Sequence, residues 1–278
     1  MSYRDILVQV DDRAATAGRA AAAAALAGRS GAHLSGVFLR AGFMRNAMAS
    51  EALANLPPDT LDQLINDHDA GVAKASESAR AMFELAAGEA GVVSDFREIS
   101  GDSDVDLIAH ARRSDLTIMP ANITASLGMN RISAADVGMA SGTPVLVAPA
   151  GDFGPAIGKR VLIAWKGSRE SARALQDAWP LVTAADEVHV LVIAPEGEGG
   201  PEGLLQRHLE HHGCKPNIII DRSEDASAGD ILRRQVEALN VDLLIMGLYG
   251  RPRLQEFILG GVSRALLDHP PCALLVSH

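Results

Sequence analysis

Short runs of consecutive aliphatic residues recur along the chain, each followed by a stretch with helical spacing. Ile6-Leu7-Val8-Gln9-Val10 is closed by Asp11 and Asp12, then comes an alanine-rich helical segment from Ala14 to Gly28 and a second apolar run, Leu34 to Leu39. The same series restarts near the middle. Val161-Leu162-Ile163-Ala164-Trp165 is closed by Lys166, followed by a helical segment from Arg169 to Thr183 and the run Val188 to Ile193. Asp115 to Met119 corresponds to Asp242 to Met246, and Thr143 to Val147 corresponds to Cys272 to Val276. Four correspondences in one order predict two copies of one unit. Strands apolar on both faces and separated by helices predict parallel sheets covered on both sides. The expected fold is α/β: two tandem, doubly wound, Rossmann-like open sheets of mostly parallel strands with helices on both faces.

The copies are unequal. The first carries about 28 more residues between its first strand and its Asp115 strand than the second does. The excess falls between Ala41 and Glu89, where Leu53, Leu56, Leu61, Leu64 and Ile65 predict added helix. A Gly/Pro-rich linker, Ala148 to Lys159, separates the copies and sets the domains at 1–150 and 158–278. Helix caps are expected at Asp11 or Asp12 in the first copy and at Ser168 with Glu170 in the second.

Composition narrows the class. Of 278 residues, 47% are hydrophobic, 22% charged and only 4% aromatic, which suits alanine-faced helices on aliphatic strands. A net charge of −10 argues against nucleic-acid binding. Two cysteines, Cys214 and Cys272, are too few for a disulfide framework and suit a reducing compartment. No apolar run approaches membrane-spanning length, and the acidic start lacks the apolar region of a secretion signal. The expected location is cytoplasmic, with no membrane partner.

In such a sheet ligands bind beyond the carboxyl ends of the strands, which places Asp11, Lys166, Pro120 and Gly247 on the functional rim. The richest stretch runs from Met246 to Arg264, from a strand end into a helix. Gly247 and Gly250 allow backbone amides to approach a ligand. Gly260, Gly261, Val262 and Ser263 open a helix, where an anion is favoured. Arg251, Arg253 and Arg264 add positive charge. Other candidates are weaker. Gly154 to Lys159 has the wrong spacing for a phosphate loop and precedes its strand. His208, His211, His212 and Cys214 have a spacing usable for zinc, but a solvated helix end capped by Gly213 explains them better. Asp102, Asp104 and Asp106 read as helix-dipole compensation.

The spacing Gly247-x2-Gly250-x9-Gly260 at a strand-to-helix junction resembles the ATP-binding motif of the universal stress protein family. The resemblance extends over nearly the whole chain as a tandem member. It implies ATP, with Mg as its counter-ion, lying across the strand ends of the second copy. Adenine would sit near Ala164, Trp165, Lys166 and Val192. The triphosphate would lie on Met246, Gly247, Gly250, Arg251, Gly260, Gly261 and Val262, with Ser263 as a hydroxyl donor. It also implies that related copies pair along their last strands, here within one chain, with a homodimer as a further assembly. Three departures stand out. Gly261 replaces the motif's final Ser or Thr, Lys166 replaces the usual aspartate, and the first copy keeps Asp11 but has Pro120 where a glycine loop would begin. The expected function is a stress-response regulator that binds nucleotide in its second domain. No side chain is placed as a general base, so catalysis is not expected, although slow ATP hydrolysis or autophosphorylation stays open. The alternatives are a nucleotide-independent scaffold and an ATP-using enzyme of a related fold.

Overall fold

Each half of the chain folds as five strands in the order 3-2-1-4-5. The computed structural model describes residues 2–43, 56–100, 104–124, 131–149, 154, 156–194, 202–223, 226–248 and 261–278. In the first half these are β1 (Asp5–Val10), β2 (His33–Arg40), β3 (Ser94–Ser100), β4 (Leu116–Pro120) and β7 (Val145–Ala148). The short strands β5 (Asn122–Thr124) and β6 (Arg131–Ser133) form a separate hairpin. The second half supplies β8 (Arg160–Trp165), β9 (Glu187–Ile193), β10 (Asn217–Asp221), β11 (Leu243–Gly247) and β12 (Ala273–Ser277). Within each half every pairing in the main sheet is parallel.

The two five-stranded units form one continuous sheet, β10-β9-β8-β11-β12-β7-β4-β1-β2-β3. They join at their last strands, where β12 runs antiparallel to β7 with Leu275 opposite Leu146. All four residues of β7 and all five of β12 are buried, so the junction lies in the core. Further ties cross between the halves. The Tyr3 hydroxyl donates to the Asp177 carbonyl at 2.7 Å, and Arg29 donates to the Ile157 carbonyl in the linker at 2.6 Å.

Helices cover both faces. One face carries α1 (Ala15–Ser30), α2 (Pro58–Ala90), α5 (Arg169–Asp177), the single turn α6 (Trp179–Val182) and α7 (Glu202–His211). The other carries α3 (Val105–Ala111), α4 (Ala134–Ser141), α8 (Ala228–Ala238) and α9 (Gly261–Asp268). Alternation along the strands assigns side chains to each: Ile6, Val8 and Val10 face α1, while Leu7 faces the opposite layer. In α1, Ala20, Ala23, Ala24 and Ala27 are buried on the sheet, where small side chains allow close approach.

The added segment of the first half is the 33-residue helix α2. Leu53 lies outside the described residues. Leu64 is 37% exposed, and Leu61 and Ile65 are only half-buried. The helix is anchored instead farther along by Val72, Ala75, Ala79, Phe83 and Ala87. Small residues at a spacing of three and four carry its buried stripe, so the larger leucines upstream gave the helix but not its anchor.

The two halves also share a local contact. Asp115 accepts hydrogen bonds from the amides of Arg4 and Asp5 at 2.6 and 3.1 Å. Asp242 does the same for Gly158, Lys159 and Arg160, at 2.6 to 3.1 Å. In each half a carboxylate before the fourth strand ties down the entry to the first. Both cysteines are free and buried, and burial pushes the Cys272 thiol up to about 12.

Candidate functional site

In both halves the strand order reverses between the first and fourth strands, so a crevice is expected beyond β1 and β4 and beyond β8 and β11. The two rims are built differently.

In the first half the rim is filled by the chain itself. Asp11 is only 6% exposed, and its carboxylate accepts from the Thr16 hydroxyl at 2.5 Å and from the Arg13 amide at 3.1 Å. The Arg19 guanidinium lies 3.6 Å from the same oxygen and is 3% exposed. It also donates to the Gln9 carbonyl and side-chain oxygen and to Thr16. Burial lowers the Arg19 pKa, and Asp11 partly opposes that shift. This corrects the expected cap at Asp11 or Asp12: the N-cap of α1 is Ala14, without a side-chain hydrogen bond. Asp11 is turned inward to a buried cation instead. Beyond Pro120 the chain forms the β5–β6 hairpin, whose own paired Ile123 and Ile132 are buried.

Gln9, Thr16 and Arg19 are functional-rim residues that the sequence reading passed over. Two signals could have found them. Gln9 interrupts an otherwise aliphatic strand. Thr16 and Arg19 fall at helical spacing with the buried alanines of α1.

In the second half the rim is built from other residues. Trp165 ends β8 directly beside Val192 on β9, both toward the α5–α7 layer. Ala164 belongs to the opposite layer, so the expected adenine group divides between the two faces of the sheet; Met246, expected at the triphosphate, lies on the same side as Ala164. Among the described residues the buried Trp165 indole nitrogen has no hydrogen-bond partner. Lys166 is exposed at the strand end.

Ser168 begins α5 with a reciprocal cap: its hydroxyl accepts from the Ser171 amide, and the Ser171 hydroxyl accepts from the Ser168 amide. The cap expected at Ser168 is present, with Glu170 in the first turn of α5 and Ser171 as the reciprocal partner. The Glu170 carboxyl is held below the usual carboxylate range, chiefly by its own backbone amide. Replacing Ser168 by Ala is expected to lower stability by about 1 kcal/mol, read from urea unfolding.

Gly247 ends β11 against the first turn of α5. A Cβ there would lie 2.5 Å from the Glu170 carbonyl carbon and 2.8 Å from its oxygen. The missing side chain therefore admits the start of α5 at the strand end. Gly250, Arg251, Arg253 and Gly260 lie outside the described residues. The backbone of Gly261 and Val262 opens α9, and Ser263 follows, buried. Arg264 pairs with Asp268 at 3.7 Å along α9.

The histidine-rich end of α7 carries no metal geometry among the described residues. The His212 ring stacks on Trp179 with centroids 4.2 Å apart, and His208 packs edge-on against His212. Gly213 closes the helix at φ +79°. Among the described residues no helix is long and apolar enough to cross a membrane.

The profile of the Universal stress protein family matches residues 158–278. No curated protein sequence matches the chain significantly. Solved structures match along its full length. A universal stress protein from Archaeoglobus fulgidus DSM 4304 superposes with a TM-score of 0.72 at 17% identity, covering 98% of this chain and 97% of that one. A functionally unknown protein from Pseudomonas aeruginosa PAO1 superposes at 0.56 with 19% identity, covering 99% of this chain and 92% of that one. At these identities the likeness concerns the fold: a mostly parallel sheet covered by helices.

Proposed function

We propose that the chain, whose residues 158–278 match the universal stress protein family, is a tandem stress-response regulator that binds one ATP or related nucleotide, in that half alone. The observation that carries the reading is the buried indole N–H of Trp165 at the end of β8, unpartnered among the described residues. A buried donor without an acceptor is costly, and a ligand acceptor at the strand end would satisfy it. Val192 beside it offers the apolar wall that a base needs.

Lys166 would bring a cation to the rim where the family has an aspartate. Gly250, Gly260, Gly261, Val262, Ser263 and Arg251 would hold the phosphates through backbone amides and charge, with Mg accompanying the triphosphate. Met246 and Gly247 would lead the chain from the end of β11 toward those phosphates. The first half contributes a covering and joining domain, since Asp11 is already committed to Thr16 and Arg19. The regulator would work in the cytoplasm, with nucleotide occupancy shifting a conformational equilibrium that partners read. It would not need catalysis.

Trp165 supplies the test. With Trp179 replaced by Phe, it is the single tryptophan of the chain. ATP should change its emission saturably, and Trp165→Phe, which keeps a ring but removes the N–H, should weaken binding by about tenfold, read by calorimetry. Unchanged emission at millimolar ATP would exclude this reading.

A further inference from the structure

The two outer edges of the ten-stranded sheet are unlike. β3 ends one side and is dressed with charge. Arg97 pairs with Asp95, Arg40 reaches Glu98 at 4.0 Å, and Arg80 lies 4.3 Å over the Phe96 ring. Charged side chains of this kind keep an edge from pairing with another strand. β10 ends the other side with Asn217-Ile218-Ile219-Ile220-Asp221, and Ile220 is 42% exposed. Among the described residues no strand pairs its outer side.

The backbone direction of β10 is fixed by its inner bonds. The Asp221 carbonyl accepts from the Ala194 amide at 3.1 Å, so Asp221, Ile219 and Asn217 direct their backbone groups toward β9. Ile218 and Ile220 therefore direct their N–H and C=O groups outward. An antiparallel partner centred on Ile219 would place Ile218 opposite Ile220 of the other strand, and the reverse. In that register both outward pairs exchange two backbone hydrogen bonds. The side chains agree with the same register. Ile218 meets Ile220 on one face, Ile219 meets its own copy on the other, and the Asn217 amide faces the Asp221 carboxylate. The segment is thus complementary to itself in backbone, apolar surface and polarity, as an isologous interface requires.

We propose that β10 is the docking edge for a second copy of this chain. Two β10 strands pair antiparallel about a two-fold axis at Ile219, so that the two sheets run on as one. The β3 edge, guarded by charge, stays out of the contact and the assembly closes at two chains. The assembly is independent of nucleotide.

Sedimentation equilibrium of the full chain over a dilution series tests this. The expected species at high concentration has twice the 29.2 kDa mass of one chain. Ile220→Pro removes an outward N–H and leaves the bonds to β9, so it should raise the dimer dissociation constant by about tenfold or more while circular dichroism stays unchanged. Ile220→Lys, at an exposed position, should act in the same direction and guards against a folding defect in the proline variant. Ile219→Cys should form an oxidised cross-linked dimer, since opposed residues on the axis bring their Cβ atoms within reach. A monomer at every concentration would overturn the proposal. So would a dimer indifferent to both Ile220 substitutions, or one that Ile219→Cys fails to cross-link, because the contact would then lie on another face or another partner would own this edge.

Discussion

Replacing Arg19 by Met is expected to lower the free energy of unfolding by about 3–5 kcal/mol, the range for leaving a buried charge without its partner. The variant fills much of the same volume, so packing is a minor part of the loss. What remains is Asp11, 6% exposed, together with the Gln9 carbonyl and side chain, all deprived of the guanidinium that served them. The Thr16 hydroxyl keeps its bond to Asp11 and limits the damage. Adding Asp11→Asn should recover part of the loss, because the stranded charge is gone. Urea unfolding of wild type, both single variants and the double variant measures the coupling. A loss below about 1 kcal/mol for Arg19→Met would show that the cluster is dispensable, and the first rim would no longer count as closed by its own structure.

The second large effect is at Gly247. Gly247→Ala should cost about 3 kcal/mol, at the upper end of overpacking, because the new methyl meets backbone and not a movable side chain. Its nearest atoms would be the carbonyl carbon, Cβ and oxygen of Glu170, at 2.5, 2.7 and 2.8 Å. Either α5 retreats from β11 or the strand end bends. Since α5 starts at the rim through Ser168 and Ser171, nucleotide binding should weaken together with stability. Chemical unfolding and an ATP titration of the same variant check both outcomes. A variant as stable as wild type would mean that the helix start yields cheaply.

Four strands of each half were legible because they are buried on both faces and therefore mostly aliphatic, whereas the edge strands β3 and β10, exposed along much of their length and in β3 largely polar, were not read from the sequence. Leu243 to Met246 and Ala273 to Val276 read as strands with no help from neighbours. The two halves share one strand order, and the carboxylates Asp115 and Asp242 do equivalent work in each half. The anchor of α2 was harder to read, since Ala75, Ala79 and Ala86 give a weak apolar signal beside Leu61 and Leu64. The inward turn of Asp11 was hidden because an aspartate after a strand looks the same whether it caps a helix, meets a ligand or holds a buried arginine. Arg19 decides among these, and its meaning depends on which face of α1 meets the sheet. That Gly247 admits the start of a helix was concealed similarly, because a glycine that admits a ligand and one that admits a helix leave the same mark in the sequence.

Calorimetric titration of ATP into the intact chain tests the central claim most directly, since it reports stoichiometry as well as affinity. One ATP per chain is predicted, with binding abolished by Gly250→Val and retained by Asp11→Asn. Two sites per chain, no heat at millimolar ATP, or heat that survives Gly250→Val would contradict it.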